Sequence, residues 1–281
     1  MQEYVQAIVY GIIQGLTEFL PVSSSGHLAI APQLFGWEDP GAGYTAVIQL
    51  GTMAAVVIYF WSDLWRITRA WFADVPRSIG QVLRRPVPPA SNDARMGWYL
   101  VVATIPIGIF GLAFESQIET VVRDLRVIGT TLIVMGLLLL LAEKVGSRTK
   151  DLERVTTKDG VAIGLAQSLA LVPGVSRSGA TITAGLFLGF DRASAARFSF
   201  LLSIPAVVLS GLFQLKDIGA EGPGIGPTLL ATVVSFVVGY AAIAWLLKYL
   251  TSHSTLIFVI YRVGLGLMVF ALLAAGTIDA T

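Results

Sequence analysis

The sequence has no cysteine and few charged residues for its length. Without cysteine the chain forms neither a disulfide nor a thiolate site. Charged residues make up 13% of the 281 residues, whereas a soluble domain carries roughly 25%. Hydrophobic residues make up 55%, and the mean hydropathy is +0.75. Because so little charge is present to cover a water-facing surface, the composition predicts a membrane protein.

Net charge is also close to zero. The chain carries 19 Lys and Arg against 18 Asp and Glu, a formal charge of +1. Nucleic-acid binding through the overall electrostatic field needs a large positive charge. We therefore expect no nucleic-acid partner.

Six apolar stretches are long enough to cross a bilayer, which takes about 20 mostly apolar residues. They are Tyr44–Trp61, Met96–Phe114, Val127–Ala142, Phe198–Leu215, Gly226–Leu247 and Leu256–Ala275. The sequence therefore predicts an all-α polytopic membrane protein with six transmembrane helices, in a single membrane domain over residues 1–281.

Two further apolar regions are each interrupted by a polar break. The first runs from Val5 to Phe35 with its break at Pro21–His27, and the second from Gly160 to Phe190 with its break at Pro173–Gly179. Helix-breaking residues at membrane depth are tolerated where the backbone is buried in protein or lines a wet cavity. Each region is therefore predicted to form a re-entrant helical hairpin, which enters and leaves the membrane on one side.

Basic residues predict the orientation through the positive-inside rule. The loops Asp63–Arg95 and Glu143–Asp159 are rich in Arg and Lys and are expected in the cytoplasm. The segments around Glu38 and Asp39 and around Lys216, Asp217 and Glu221 are poor in basic residues and are expected outside. Six spans then place both termini outside, with the first hairpin entering from outside and the second from the cytoplasm.

The two hairpins are also similar to each other in sequence. At one constant offset, these positions match without a gap: Gly11 with Gly164, Gln14 with Gln167, Leu16 with Leu169, Val22-Ser23 with Val175-Ser176, Ser25-Gly26 with Ser178-Gly179, and Gly36 with Gly189. Each half then has one hairpin and three spans, and an odd number of spans inverts the second half. Two inverted repeats are predicted, over residues 1–150 and 151–281, with a site near the midplane where broken helices meet. Chance similarity between small-residue segments is the alternative.

Glu18 and Gln14 are candidate metal ligands. Ionisable groups inside a membrane are costly and are functional by default, and Glu18 lies in a long apolar run. Gln14 lies four residues earlier and so shares its helix face. Two oxygen donors on one face suit Mg²⁺ or Ca²⁺. A glutamate paired only for packing, and an interhelical hydrogen bond from Gln14, are the alternatives.

The first break indicates a loop that opens into a helix, whose N-terminal N–H groups can bind an anion. Ser24 and His27 are three residues apart and can approach each other on a helical turn. A histidine there can take the proton of the serine or of a water and so create a nucleophile. The alternative is a histidine that only orders the loop. The other histidine, His253, lies in a short polar loop and is expected to be structural or solvated.

The second break is a candidate phosphate site. Arg177 is the only basic residue between Lys158 and Arg192, and a guanidinium grips phosphate bidentately. Glycines let the backbone approach a ligand, and hydroxyls add donors. The candidates around Arg177 are Gly174, Ser176, Ser178 and Thr181, and Ser23 and Ser25 are their counterparts in the first break. An ion pair between Arg177 and Glu18 across the repeat interface is the alternative, and it would still mark the site.

Residues 15–28 (GLTEFLPVSSSGHL) and 173–181 (PGVSRSGAT) resemble the two motifs of the undecaprenyl-diphosphate phosphatase family, of the bacitracin-resistance type. The resemblance covers essentially the whole chain and implies six spans and two re-entrant hairpins in a bacterial inner membrane. It implies a divalent-metal-dependent hydrolase that converts undecaprenyl diphosphate to the monophosphate and phosphate. Such an enzyme recycles the cell-wall lipid carrier and confers bacitracin resistance.

The same resemblance implies residue roles. It implies metal binding at Gln14 and Glu18, where this chain has Gln, the weaker ligand, at the first position. The family's catalytic serine and histidine correspond to Ser24 and His27, and its phosphate-binding arginine to Arg177. The sequence leaves open the choice of metal, the prenyl chain length preferred, and whether the protein is a monomer or a homodimer.

Two mechanisms and one different class of function stay open. Either Ser24 attacks phosphorus with help from His27, or His27 activates water and Ser24 only binds phosphate. Inverted repeats with broken helices are also typical of transporters, which would use Arg177 for binding and Glu18 and His27 as a proton relay. A nucleophile and a base beside a phosphate site favour the hydrolase, because a carrier needs neither.

Overall fold

The computed structural model describes residues 1–82, 90–114, 124–214 and 224–280. Over these ranges the chain forms eleven α-helices. In chain order they are α1 (Gln2–Phe19), α2 (Ser24–Phe35), α3 (Gly41–Tyr59), α4 (Trp61–Val82), α5 (Asn92–Ala113), α6 (Leu125–Val145), α7 (Thr157–Ser168), α8 (Arg177–Phe187), α9 (Arg192–Gln214), α10 (Ile225–Tyr249) and α11 (Leu256–Ala274). Short 3₁₀ helices at Leu152–Arg154 and Leu169–Leu171 precede and follow α7.

Four of the described helices, α5, α6, α10 and α11, are long and apolar enough to cross a membrane. Together α3 and α4 satisfy the same criterion as a pair bent by 75°, which would make five spans. The helical, multi-pass class predicted from the sequence is therefore confirmed. The predicted span Phe198–Leu215 falls in α9, but Leu215 lies outside the described residues. Five groups used to predict orientation also lie outside them: Arg84, Arg85, Lys216, Asp217 and Glu221.

The prediction of a loop over Asp63–Arg95 is wrong between Asp63 and Val82, because α4 occupies that stretch. Three large aromatic side chains on α4, those of Trp61, Trp65 and Phe72, are more than half exposed, while Asp74 is buried. Trp98 of α5 donates to the Asp74 carboxylate at 3.0 Å. A helix with one apolar and one polar face has an average composition like that of a loop, so its charged residues alone do not distinguish it from a loop.

Glycines let the broken helices pack closely on their neighbours. The spacing of Gly11 and Gly15 predicted close packing, and α1 packs on α10 at both positions. A Cβ on Gly11 would lie 2.6 Å from the carbonyl oxygen of Ala231. Its counterpart Gly164 in α7 has the same relation to α5, since a Cβ there would lie 2.5 Å from the carbonyl oxygen of Ala103. Small residues at such contacts allow helix backbones to touch.

A buried carboxylate joins the ends of three helices. Glu143, near the end of α6, pairs with Arg148 and with Arg192 at the start of α9. It also accepts from the Thr255 hydroxyl at 2.8 Å, just before α11. A buried charge is stable when it is paired and hydrogen-bonded in this way. Glu143 therefore fixes the mutual positions of α6, α9 and α11.

Candidate active site

The two polar breaks have the same local geometry. Ser23 and Ser176, the N-cap residues of α2 and α8, have φ angles of 75° and 70°, a left-handed conformation that serine rarely adopts. Their hydroxyls accept from the backbone N–H groups of Gly26 at 3.3 Å and Gly179 at 3.0 Å. Strained backbone of this kind persists where the surroundings enforce it, commonly at functional sites. Residues 21–27 and 173–179 are called below the first and second serine loops.

Glu18 lies where the two serine loops meet. Its side chain is 8% exposed and forms an ion pair with Arg177, 159 residues away in sequence. The Ser24 hydroxyl donates to its carboxylate at 2.7 Å, and the Gln14 amide donates to it at 3.1 Å. The ion pair between Glu18 and Arg177, given above as an alternative, is what the structure shows. The pair brings the two sequence motifs together in one site.

Two helix N-termini converge on this carboxylate. Ser24 is the first residue of α2 and Arg177 the first residue of α8, and both side chains reach Glu18. The N-terminal turn of a helix carries partial positive charge and unpaired N–H groups, which stabilise a nearby anion. Two such termini and one guanidinium make this a place suited to phosphate.

Several of the predicted phosphate ligands are already engaged with protein groups. The Ser178 hydroxyl donates to the carbonyl of Leu20 at 3.1 Å. Thr181 is 1% exposed, and its hydroxyl contacts the carbonyl of Arg177 at 2.8 Å and the Ser199 hydroxyl at 2.6 Å. In this arrangement these side chains hold the second loop against the first loop and against α9. Among the other predicted ligands, Ser25 is exposed and Ser176 is buried, and Gly174 has a φ of +82°.

Ser24 and His27 engage different partners, although their spacing predicted that they could approach each other. The Ser24 hydroxyl turns back to Glu18 at 2.7 Å. His27 Nδ1 lies 2.7 Å from the carbonyl oxygen of Ser23, four residues earlier. The Ser23 carbonyl, which also accepts from the backbone N–H of His27 at 3.3 Å, lies within reach of the imidazole four residues later, whereas the Ser24 hydroxyl is taken by Glu18.

His253, as expected, has a local role. It is exposed in the loop between α10 and α11, and its ring stacks on Tyr249 with centroids 4.5 Å apart. Its Nδ1 contacts the Ser252 hydroxyl at 2.9 Å. The prediction of a structural or solvated histidine is confirmed.

Three contributors to the site were missed by the sequence reasoning: Thr52, Tyr261 and Arg262. The Thr52 hydroxyl accepts from the Gln14 amide at 3.4 Å, and the Tyr261 hydroxyl lies 2.6 Å from His27 Nε2. Arg262 is 1% exposed and donates to carbonyls of both serine loops. It is the only charged residue in the span Leu256–Ala274, and the rule on intramembrane charges could have identified it.

Arg262 joins the two serine loops through hydrogen bonds to their backbone carbonyls. It donates to the carbonyls of Pro21 at 3.0 Å in the first loop, and of Gly174 at 2.8 Å and Val175 at 3.0 Å in the second. A Cβ on Gly179 would lie 2.8 Å from its guanidinium, which explains the glycine there. The five donors of a guanidinium, held in a planar fork, suit this task because they can bond to several carbonyls at once.

The donors around Glu18 are of the type that a hard cation prefers. Glu18, Gln14, Ser24 and Thr52 all carry side-chain oxygen atoms, and Mg²⁺ and Ca²⁺ favour oxygen ligands. Within the described ranges, no three or more His, Cys, Asp and Glu side chains are grouped to hold a metal. A cation here would therefore depend on one carboxylate, supplemented by oxygens from phosphate and water, as Mg²⁺ sites at phosphate groups commonly do.

Comparison with known proteins identifies the family. The model of the family described as "Bacitracin resistance protein BacA" matches residues 7–268. The chain belongs to the BacA family. Both serine loops and Glu18 fall inside the matched range, so the resemblance seen in the two motifs is confirmed.

Curated relatives of this BacA-family chain match it over its full length. A protein named undecaprenyl-diphosphatase from Nocardioides sp. is 53% identical over 282 residues, covering 100% of both chains. One of the same name from Micrococcus luteus is 51% identical over 283 residues, and one from Chloroherpeton thalassium is 52% identical over 289, each covering 99% of both chains.

Proposed function

We propose that this BacA-family protein is a membrane-embedded undecaprenyl-diphosphate phosphatase. It hydrolyses the lipid diphosphate to the monophosphate and inorganic phosphate, and so recycles the cell-wall lipid carrier and confers resistance to bacitracin. The observation that carries the proposal is the convergence of Ser24 and Arg177, each at a helix N-terminus, on Glu18 at the end of α1. The names of the full-length relatives support the same substrate.

A substrate with a long hydrophobic chain suits the surroundings of this polar site. On α10 four large apolar side chains follow one another at intervals of four residues and are all more than half exposed: Ile225, Leu229, Val233 and Val237. A stripe of this kind faces lipid rather than water. The prenyl chain therefore remains in the bilayer, while its diphosphate enters the polar site between α2 and α8.

The contacts support a two-step reaction. When the diphosphate arrives, Arg177 turns from Glu18 to the terminal phosphate and stabilises the charge that develops during transfer. Ser24 attacks the terminal phosphorus, its proton passes to Glu18, and the bond to the bridging oxygen breaks, releasing the lipid monophosphate. Water then attacks the phosphoserine, Ser24 regains its proton, and phosphate leaves. Glu18 is given the proton-accepting role because it is the partner that Ser24 contacts.

A divalent cation, Mg²⁺ or Ca²⁺, belongs to this proposal. Glu18 and Gln14 would hold it, and it would supply positive charge beside the phosphate oxygens. In the structure the Glu18 carboxylate already accepts from three donors. A carboxylate has about four acceptor positions, and the move of Arg177 to the phosphate would leave Glu18 Oε1 open to the cation.

We further propose six spans and two re-entrant hairpins, arranged as inverted repeats over residues 1–150 and 151–281, with both termini outside. The matched caps at Ser23 and Ser176 support the repeat. So does the matched packing of Gly11 on α10 and of Gly164 on α5. In this arrangement α3 and α9 supply the two spans beyond the four helices named above.

The proposal is tested by measuring phosphate release from a polyprenyl diphosphate by the purified protein in detergent, with and without Mg²⁺ or Ca²⁺. Arg177→Ala should lose at least about 10²-fold in rate, the typical effect of removing one donor to a transition-state oxyanion. Arg126→Ala, at an exposed position at the start of α6, is the matched control. No release by folded wild-type protein with metal present would reject the phosphatase and favour the transporter.

The same purified protein can be used to distinguish Ser24 from water as the nucleophile. If Ser24 attacks phosphorus, rapid quenching should trap phosphate on Ser24, and Ser24→Ala should abolish both the trapped species and turnover. If Ser24→Ala keeps much of the activity and no phosphoserine forms, water is the nucleophile and Ser24 only binds phosphate.

A further inference from the structure

Tyr261 lies outside both serine loops but contacts the histidine of the first. Its hydroxyl is 2.6 Å from His27 Nε2, and the two residues are 234 positions apart in sequence. The two rings are parallel to within 5°, with centroids 5.5 Å apart. The next residue along α11, Arg262, is fully buried and bonded to carbonyls of both loops. Because Arg262 fixes α11 to the loops, the Tyr261 ring is held at a fixed position beside His27.

The hydrogen bonds of His27 define which nitrogen can accept a proton. Nδ1 lies 2.7 Å from the carbonyl oxygen of Ser23. A carbonyl oxygen only accepts, so Nδ1 carries the hydrogen. In the neutral ring Nε2 is therefore the basic atom, and it accepts from the Tyr261 hydroxyl.

Tyr261 and Ser23 together leave the imidazole no freedom to rotate. Rotation of the ring would break one hydrogen bond at each nitrogen and the parallel contact between the rings. Ser24 is not available to orient the ring, because its hydroxyl donates to Glu18. The Tyr261 hydroxyl, together with the Ser23 carbonyl, therefore sets the direction in which His27 Nε2 points.

We propose that Tyr261 is a positioning residue for the phosphatase reaction, which fixes the orientation of His27 and, through it, the first turn of α2 that carries Ser24. This inference rests on the proposed function, in which Ser24 attacks phosphorus and gives its proton to Glu18. Tyr261 touches neither Glu18 nor Arg177 in the described contacts. Its removal should therefore slow turnover while leaving substrate affinity unchanged.

The first test compares kcat and KM for phosphate release from a polyprenyl diphosphate in detergent. Tyr261→Phe keeps the ring and removes the hydroxyl, and we expect kcat to fall roughly ten-fold, the effect of one lost hydrogen bond, with KM unchanged. The matched control is Tyr240→Phe, on α10, where the tyrosine is 41% exposed; Tyr261 is 47% exposed. A Tyr261→Phe kcat within two-fold of wild type, or a loss matched by the control, would overturn the inference.

A double-mutant comparison asks whether Tyr261 acts through His27. If it does, adding Tyr261→Phe to His27→Ala should change kcat no further, because the group it positions has gone. If Tyr261→Phe lowers the rate of His27→Ala by the same factor as that of wild type, Tyr261 acts independently and the inference is wrong.

A spectroscopic test is independent of activity. The chain has two histidines, so His253→Asn leaves one ¹⁵N-histidine signal set, that of His27. We expect the Nδ1–H tautomer, and a change in the Nε2 resonance in Tyr261→Phe but not in Tyr240→Phe. An unchanged Nε2 resonance would show that the contact is not made. If the contact is seen but wild type releases no phosphate, the proposed function has failed, and the role in turnover fails with it.

Discussion

Replacing Arg262 by methionine should destabilise the protein and disorganise both serine loops. Arg262 is 1% exposed and donates to the carbonyls of Pro21, Gly174 and Val175 at 2.8–3.0 Å. Methionine fills much of the space of the arginine stem but has no donor. Each of the three carbonyls would then be buried without its partner.

The size of the effect follows from those three contacts. Leaving a buried acceptor unsatisfied costs about 1–3 kcal/mol. Part of this is offset, because burying a guanidinium against carbonyls alone is itself unfavourable. Taking the lower figure for each carbonyl, we expect Arg262→Met to lose about 3 kcal/mol of stability. Arg262→Lys keeps the charge but has one nitrogen in place of a fork, so it should recover only part of the loss.

The assay is unfolding of the purified protein in a fixed detergent, followed by phosphate release from the variants that remain folded. Arg126→Met, which removes an exposed arginine from α6, is the matched control and should be close to neutral. We expect the order of stability to be wild type, Arg262→Lys, then Arg262→Met. If Arg262→Met is as stable as the control, or if the Lys and Met variants are equally stable, the hydrogen bonds of Arg262 are not what holds the two loops together.

Two further predictions concern packing and topology. A Cβ on Gly51 of α3 would lie 2.2 Å from the carbonyl oxygen of Thr232 in α10, so Gly51→Ala should force the helices apart and lower thermal stability. Gly264→Ala, where no heavy atom lies within 4 Å of the added Cβ, should be tolerated, and equal stability of the two variants would contradict the packing argument. Because the chain has no cysteine, single cysteines report sidedness: Glu3→Cys should react with an impermeant thiol reagent from outside and Ser252→Cys should not. The reverse pattern would invert the proposed orientation.

Composition and the placement of charges predict the class of the protein and the position of its candidate site along the chain. Apolar runs and scarce charge are properties of composition, and they predict membrane helices whatever the tertiary structure is. Glu18 and Arg177 are isolated charges in apolar surroundings, so the cost of burying them is visible without coordinates. The same reasoning applies to Arg262, a lone charge in the apolar span Leu256–Ala274, and it predicts a functional or structural role there. An amphipathic helix such as α4 has a mixed average composition, so composition alone predicts a loop there.

Tertiary structure alone decided the partners within the site. The contact of Tyr261 with His27 joins residues 234 positions apart, and that of Arg262 with Pro21 joins residues 241 positions apart. No local pattern encodes such pairings, because they depend on how α11 packs against α6 and the serine loops. The choice of Glu18 over His27 as the partner of Ser24 was likewise not set by spacing. It depends on where α1 ends relative to the first turn of α2, and that relation exists only after the hairpin has folded.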